Sequence, residues 1–272
     1  MKINYVDLIR QSYQERKDLS KIFSSVLKSG SFVGGRYVDE FEKNICNYLK
    51  SNNCNSLNSG TDALIFALFA AGVKRGDEVI TAPNSFIASA AAIAHLGAKP
   101  VFADVLDDQN IDPDKIEEKI TEKTKVIMPV HLTGRVCKMD KIMRIAKKYN
   151  LKVIEDAAQA IGSKYRGIYA GKFGDFGCFS AHPLKNLNAL GDSGYLISKS
   201  KKNSNYIRNL KSHGMSNRDR VKKFGLVSRM DNIQAAILSY RLQKLNIVIK
   251  ERRKNYEIYK NYLDRKLIFF PD

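Results

Sequence analysis

Between residues 60 and 199 the chain alternates two hydrophobic periodicities. Leu64, Ala67, Leu68 and Ala71 recur at helical spacing and predict a helix over 61–71. Residues 78–82 read as a strand stopped by Pro83, and the alanine-rich stretch 85–96 as a helix closed by Gly97. A strand over 100–105 follows, then a short helix opened by Asp112-Pro113 with proline in its first turn. Residues 125–130 have the continuous apolar character of a buried strand, 139–148 the stripe of a helix, and 152–156 a strand again. From 230 to 263 runs one long helical pattern, or two abutting helices, increasingly charged toward its end. Leu267-Ile268-Phe269-Phe270 then has the composition of a starting strand.

Strands alternating with helices at these lengths imply βαβ crossovers. The expected fold class is therefore α/β, a three-layer α/β/α arrangement around a mostly parallel central sheet. Ligands of such sheets bind beyond the carboxyl ends of the strands. Three segments lie just past predicted strands: Pro83-Asn84-Ser85-Phe86, Glu155-Asp156-Ala157-Ala158-Gln159, and Ser180 through Lys185.

Composition narrows the classes without choosing a function. The 272 residues suffice for one large domain, or one and a part. No apolar run approaches the roughly 18 residues of a membrane span, and the first residues form no signal peptide, so no membrane role and a cytoplasmic location are expected. Cys46, Cys54, Cys137 and Cys178 are scattered without a CxxC pair, which points to reduced thiols and to no metal site. The formal net charge of +18 is spread along the chain with no finger, RNP pattern or basic arm beside it. A nucleic-acid partner is not expected. A phosphorylated cofactor and an anionic substrate would suit the charge, although the charge does not select them.

Candidate chemistry centres on Lys185, which follows a short apolar run with Ser180 five positions before it. A lysine there can form a Schiff base with an aldehyde cofactor if its surroundings favour the neutral amine. Taken alone among 46 Lys and Arg residues it reads as a solvated surface charge, and the case for it rests on its companions. Asn58-Ser59-Gly60-Thr61-Asp62 places small polar residues at a helix N-terminus, either a phosphate seat or a simple cap. Asp156 ends an apolar strand, where a carboxylate needs a cation or a proton donor. Phe86 taken alone reads as core packing more readily than as a cofactor platform.

Taken together and in order, these residues resemble the DegT/DnrJ/EryC1/StrS family of sugar aminotransferases. The resemblance runs from Asp7 to the last residues. It includes Gly34-Gly35-Arg36-Tyr37-Val38-Asp39-Glu40-Phe41-Glu42, Asn58 through Leu64, Gly76-Asp77-Glu78-Val79-Ile80, Pro129-Val130-His131-Leu132-Thr133-Gly134, Glu155 through Ala160, and Ser228-Arg229-Met230-Asp231 with Gln234-Ala235-Ala236. The resemblance implies the large domain of a fold-type-I enzyme using pyridoxal 5'-phosphate. Lys185 would carry the cofactor and shuttle the proton, and Asp156 would pair with its pyridinium nitrogen. Phe86 would stack on the ring, Gln159 would hydrogen-bond near it, and Gly60, Thr61 and Ser180 would hold the phosphate. The expected substrates are a keto sugar, nucleotide-diphosphate-linked, and glutamate as amino donor, for surface polysaccharide or amino-sugar synthesis. A homodimer with shared active sites is also implied. His182 stands three residues before the lysine, with a contact to the site or a packing role both open. His131 and His213 receive no catalytic step.

Three departures from the family pattern stand out. Val227 occupies the place of an asparagine that reaches the partner subunit's phosphate, and Ser193-Gly194 replaces a glycine pair. The family also continues through a smaller C-terminal domain, so residues 1–245, including an N-terminal helical segment, would form the cofactor-binding domain and 246–272 the start of a truncated second one. Two alternatives follow: a catalytically incompetent cofactor-binding or dimerisation fragment, and an aminotransferase acting on an octulosonate-type sugar acid. A dinucleotide-binding domain is disfavoured because no strand is followed by GxGxxG.

Overall fold

In the computed structural model, which describes residues 4, 6–264, 266, 268 and 270, eleven strands and eight α-helices are assigned among those residues. The helices are α1 (Leu8–Ser29), α2 (Arg36–Leu49), α3 (Gly60–Ala70), α4 (Ala88–His95), α5 (Pro113–Glu117), α6 (Met139–Lys148), α7 (Lys201–Leu210) and α8 (Asn232–Tyr262). The strands are β1 (Cys54–Leu57), β2 (Glu78–Thr81), β3 (Lys99–Phe102), β4 (Thr124–Met128), β5 (Lys152–Asp156), β6 (Lys164–Tyr165), β7 (Ile168–Tyr169), β8 (Phe176–Ser180), β9 (Gly194–Ser198), β10 (Met215–Asn217) and β11 (Arg220–Val221). Seven strands form one sheet in the order β1-β9-β8-β5-β4-β2-β3. From β8 to β3 every neighbouring pair is parallel, whereas β9 runs antiparallel to both β8 and β1. The expectation of a mostly parallel α/β sheet holds.

Alternating side chains of each strand enter opposite cores, because successive residues point to opposite faces. Val79, Ile154 and Leu196 pack under α3, α4 and α7 with Leu64, Ala67, Ile93 and Ile207. Their neighbours Ile80 and Val153 pack with Ile116 and Ile142 of α5 and α6, and Ile197 packs with Phe41 and Ile45 of α2 and Leu238 of α8. Helices thus cover both faces, which makes the three layers. β3, at the edge of the sheet, keeps Lys99 and Phe102 exposed.

The differences from the anticipated boundaries have local causes. Residues 83–87 form a turn before α4, because Asn84 donates to Gln109 and Ser85 bonds Ser89 in place of a helical ladder. β3 ends at Phe102, opposite the last residue of β2, and β4 ends before Pro129, beyond which Val130 makes one isolated bridge to Asp156. The long C-terminal pattern is one helix of 31 residues, unbroken across 245/246. In the anticipated strand at 267–270, residues 267 and 269 lie outside the described residues. All four cysteines are free, three of them buried.

Candidate active site

Asp156 is the last residue of β5 and Ser180 the last of β8, while β1 and β2 run out just before Ser59 and Phe86. These four strands are parallel to one another, so all four positions fall at the carboxyl edge of the sheet. They enclose a cavity of about 440 Å³ whose lining includes Ser59, Gly60, Thr61, Phe86, Asp156, Gln159, Ser180 and Lys185. Every residue singled out in the sequence for cofactor contact therefore lies on one cavity.

At one end the N-terminus of α3 faces in. Ser59 caps the helix by accepting the amide N–H of Asp62 at 3.0 Å. Gly60 and Thr61, the first helical residues, have no intrahelical acceptor for their N–H groups, and the positive end of the helix dipole adds to the attraction for an anion. Glycine is required at 60 because an added Cβ would stand 2.6 Å from the Ser180 Cβ. The same holds at Gly194, whose Cβ would meet the Ser59 carbonyl carbon at 2.2 Å. Two bare backbones thus allow β8, β9 and α3 to close on one small seat beside the Ser180 hydroxyl.

Deeper in, Asp156 is 5% exposed. Its Oδ2 accepts from Ser89 Oγ at 2.7 Å and its Oδ1 from the Ala158 amide at 3.2 Å. Burial raises its pKa, against the lowering effects of those two donors and of the Lys185 charge. The adjacent Glu155 is fully buried yet accepts from the amides of Gly171, Phe173 and Gly174 at 2.7–2.8 Å and bonds His131 Nε2 at 2.9 Å. Because His131 Nδ1 accepts the Cys137 amide, the ring proton sits on Nε2 and is donated to Glu155. Asp156, with half as many donors, is the carboxylate that still needs one. A cationic ring N–H from a pyridoxal cofactor fits that need.

Lys185 is half-buried, and burial lowers its pKa while Asp156 opposes the shift. Its amide donates to the His182 carbonyl, forming a tight turn that brings His182 onto the same cavity. Phe86 is 74% exposed across the opening, placed to cover a flat ring. Gln159 Oε1 accepts the Thr133 amide at 2.6 Å, which leaves its –NH₂ group to donate to a ligand. A second cavity of about 500 Å³ shares Gln159, Leu184 and Lys185 with the first and is walled by Arg252 and Arg253 of α8. Lys185 therefore opens on both.

Sequence reasoning missed Ser89, whose hydroxyl holds Asp156, and the bracing of Glu155 by His131. Ser89 follows Ser85 by one helical turn in a segment otherwise read as plain alanine-rich helix, and that spacing was the available signal. Val227 is exposed on the strand-like segment bridging Ser212, and Ser193 is buried with its hydroxyl on the Asp192 carbonyl.

Comparison with known proteins agrees with this geometry. The DegT/DnrJ/EryC1/StrS aminotransferase family model matches residues 13–269. The chain is 40% identical over 270 residues to the dTDP-3-amino-3,6-dideoxy-alpha-D-galactopyranose transaminase of Aneurinibacillus thermoaerophilus, covering 99% of this chain and 74% of that protein. It is 39% identical over 237 residues to the 3-oxo-glucose-6-phosphate:glutamate aminotransferase of Bacillus subtilis, covering 86% and 53%. Its fold superposes on the crystal structure of ntda from Bacillus subtilis with bound cofactor PMP, with a TM-score of 0.86 and 37% identity over 90% of this chain and 57% of that one. The chain thus spans between about half and three quarters of the length of these relatives. It belongs to the DegT/DnrJ/EryC1/StrS aminotransferase family and is a pyridoxal-phosphate-dependent aminotransferase.

Proposed function

We propose that the protein transfers an amino group from glutamate to a keto sugar carried on a nucleotide diphosphate, in amino-sugar or surface-polysaccharide synthesis. The observation that carries this reading is the convergence of Lys185, Asp156 and the α3 N-terminus on one cavity at the carboxyl edge of the sheet. Pyridoxal phosphate, when bound, supplies an aldehyde carbon for the amino group and a ring that accepts electrons. The chain's residues do the rest. Gly60, Thr61 and Ser180 would hold the phosphate, Phe86 would cover the ring, and Gln159 would donate to its edge. Asp156 would keep a proton on the ring nitrogen. Lys185, whose pKa burial lowers, would hold the cofactor's aldehyde carbon and would carry the proton at the reacting substrate carbon.

Support for an anionic acceptor comes from Arg252 and Arg253 on the second cavity, which opens onto Lys185. The relatives named as acting on a dTDP-sugar and on a sugar phosphate point the same way. The same reading assigns residues 1–245 to the cofactor-binding domain and 246–272 to the beginning of a smaller one. It also makes the protein a cytoplasmic homodimer with shared sites, a reading supported by the exposed apolar side chains Phe224, Leu226 and Val227. No helix among the described residues is long and apolar enough to cross a membrane.

The test takes the purified chain with pyridoxal phosphate and follows cofactor absorbance on adding glutamate, then on adding keto sugars with and without a nucleotide diphosphate. A glutamate-driven spectral change reversed by the nucleotide sugar is the expected result. A cofactor-bound chain that ignores glutamate, or an aminated product from unphosphorylated sugars alone, overturns the proposal.

A further inference from the structure

The segment that carries Lys185 runs from Ala181 to Ser193 without helix or strand. Such a loop is free to move unless other elements hold it. Its two ends are tied by the Ala181 amide donating to the Ser193 carbonyl and the Ala189 amide to the Ala181 carbonyl, both at 2.8 Å. Its middle, just after the lysine, is held from outside.

The holding groups come from α1 and α8. Arg241 Nη1 donates to the carbonyls of Asn188 at 2.8 Å and Ala189 at 3.3 Å. The other edge of the same guanidinium donates from Nε and Nη2 to Glu15 Oε2 at 3.0 and 2.7 Å. Gln234, seven residues earlier and so on the same face of α8, accepts the Leu190 amide at 2.9 Å and donates back to the Leu190 carbonyl at 3.3 Å. Gln11, one turn before Glu15, exchanges two hydrogen bonds with the Asn188 side chain, which itself donates to the Pro183 carbonyl at 2.8 Å. Three consecutive residues, 188 to 190, are therefore gripped by side chains from two helices remote in sequence.

Arg241 is 5% exposed, and burying a guanidinium is unfavourable unless its donors are used. Here four of its donor contacts are, two on a carboxylate and two on the loop backbone. An apolar side chain would pack in this place without the cost of desolvation. What the guanidinium adds is a rigid fork that fixes the Asn188 and Ala189 carbonyls relative to α1. The turn that presents Lys185 begins at His182 and is tied at Pro183 by the Asn188 side chain, so the fork sets where the Lys185 amine stands in the cavity.

From these contacts we infer that Arg241, backed by Glu15 and assisted by Gln11, is a positioning residue for the reaction, holding the Lys185 loop without touching substrate or cofactor. The inference rests on Lys185 being the reacting amine. Lysine at 241 keeps the charge but cannot reach Glu15 and two carbonyls together.

The experiment compares Arg241→Lys, Gln11→Ala and, as reference, Lys185→Ala. Hydrogen exchange of the peptide 181–193 is measured without cofactor, and kcat, KM and the pH midpoint of the cofactor absorbance with it. Arg241→Lys should speed exchange in that peptide alone, lower kcat about 10- to 100-fold, leave KM for the acceptor within about twofold, and move the pH midpoint. Gln11→Ala should do the same more weakly, and it decides the matter if Arg241→Lys does not fold. Unchanged kcat, midpoint and loop exchange, with only a lower melting temperature, would overturn the inference. Lys185→Ala separates the two proposals: should it turn over normally, the reading of Lys185 fails, whereas normal behaviour of the clamp variants beside an inactive Lys185→Ala refutes the clamp alone.

Discussion

Replacing Asp156 by asparagine should make the cofactor-free protein more stable at neutral pH and nearly unable to hold the cofactor. Glu155 and Asp156 are adjacent buried carboxylates, yet Glu155 has four hydrogen-bond donors and Asp156 two. The shortfall of a charge-assisted bond corresponds to about 1.5–3 kcal/mol that the ionised form lacks. Burial raises the Asp156 pKa above its unfolded value, so the folded protein binds that proton more tightly than the unfolded chain. The associated stability is complete at pH below the ordinary carboxylate range and is lost as pH rises through the folded pKa. Asparagine is neutral throughout and escapes the loss. In thermal denaturation without cofactor, the two proteins should melt together near pH 4 and separate as pH rises. At roughly 2–4 °C per kcal/mol for a chain of this size, the variant should lead by roughly 3–12 °C at pH 7. With cofactor the order reverses, since removing one partner of a buried pair costs about 3–5 kcal/mol, which is roughly a hundredfold or more in affinity. A difference in melting temperature that does not change with pH would refute the argument, because desolvation of a charge could not then be its source.

Four further substitutions and titrations probe the rest of the site. Lys185→Ala should abolish transamination and the absorbance of lysine-bound cofactor, and normal turnover would remove the assignment of that residue. Because burial lowers the Lys185 pKa while Asp156 opposes the shift, amine modification of Lys185 in the cofactor-free protein should titrate below the ordinary lysine range; in Asp156→Asn it should move lower still, and a midpoint that stays put contradicts the coupling. Gly194→Ala drives a Cβ into the Ser59–Gly60 backbone, so cofactor affinity measured by equilibrium dialysis should fall at least about tenfold, the equivalent of one lost phosphate contact. Glu155→Ala strands three amides and the His131 ring N–H in the interior; urea denaturation should show a loss of more than about 3 kcal/mol, and an unchanged midpoint would show that the loop 171–174 does not depend on it.

How much of this could be read from the sequence depends on where each signal is stored. The parallel strands were legible because β2, β4 and β5 are short apolar runs between helical segments, and Lys185, Asp156 and Phe86 were legible because each follows such a run. β1 was not, since Asn55 and Ser56 interrupt its apolar pattern while being fully buried: Asn55 pairs with Ser204 of α7 and Ser56 with Glu42 of α2. Those partners lie far along the chain, and no local periodicity records them. Ser89 acts on Asp156 across 67 residues and Arg241 on Asn188 across 53; Ser89 has only its spacing from Ser85 as a local signal, and Arg241 leaves no mark in its own neighbourhood. The pair Glu155-Asp156 shows the limit most sharply. In sequence they are two acidic residues closing one strand, equally in need of a partner. Strand alternation sends them to opposite faces, where one meets the amides of the loop 171–174 and the other meets an open cavity with one serine and one amide. Position along a strand predicts which edge a side chain reaches. Whether it arrives there satisfied or in need of a ligand depends on what the rest of the chain brings to that edge, and it is the unsatisfied one that identifies the site.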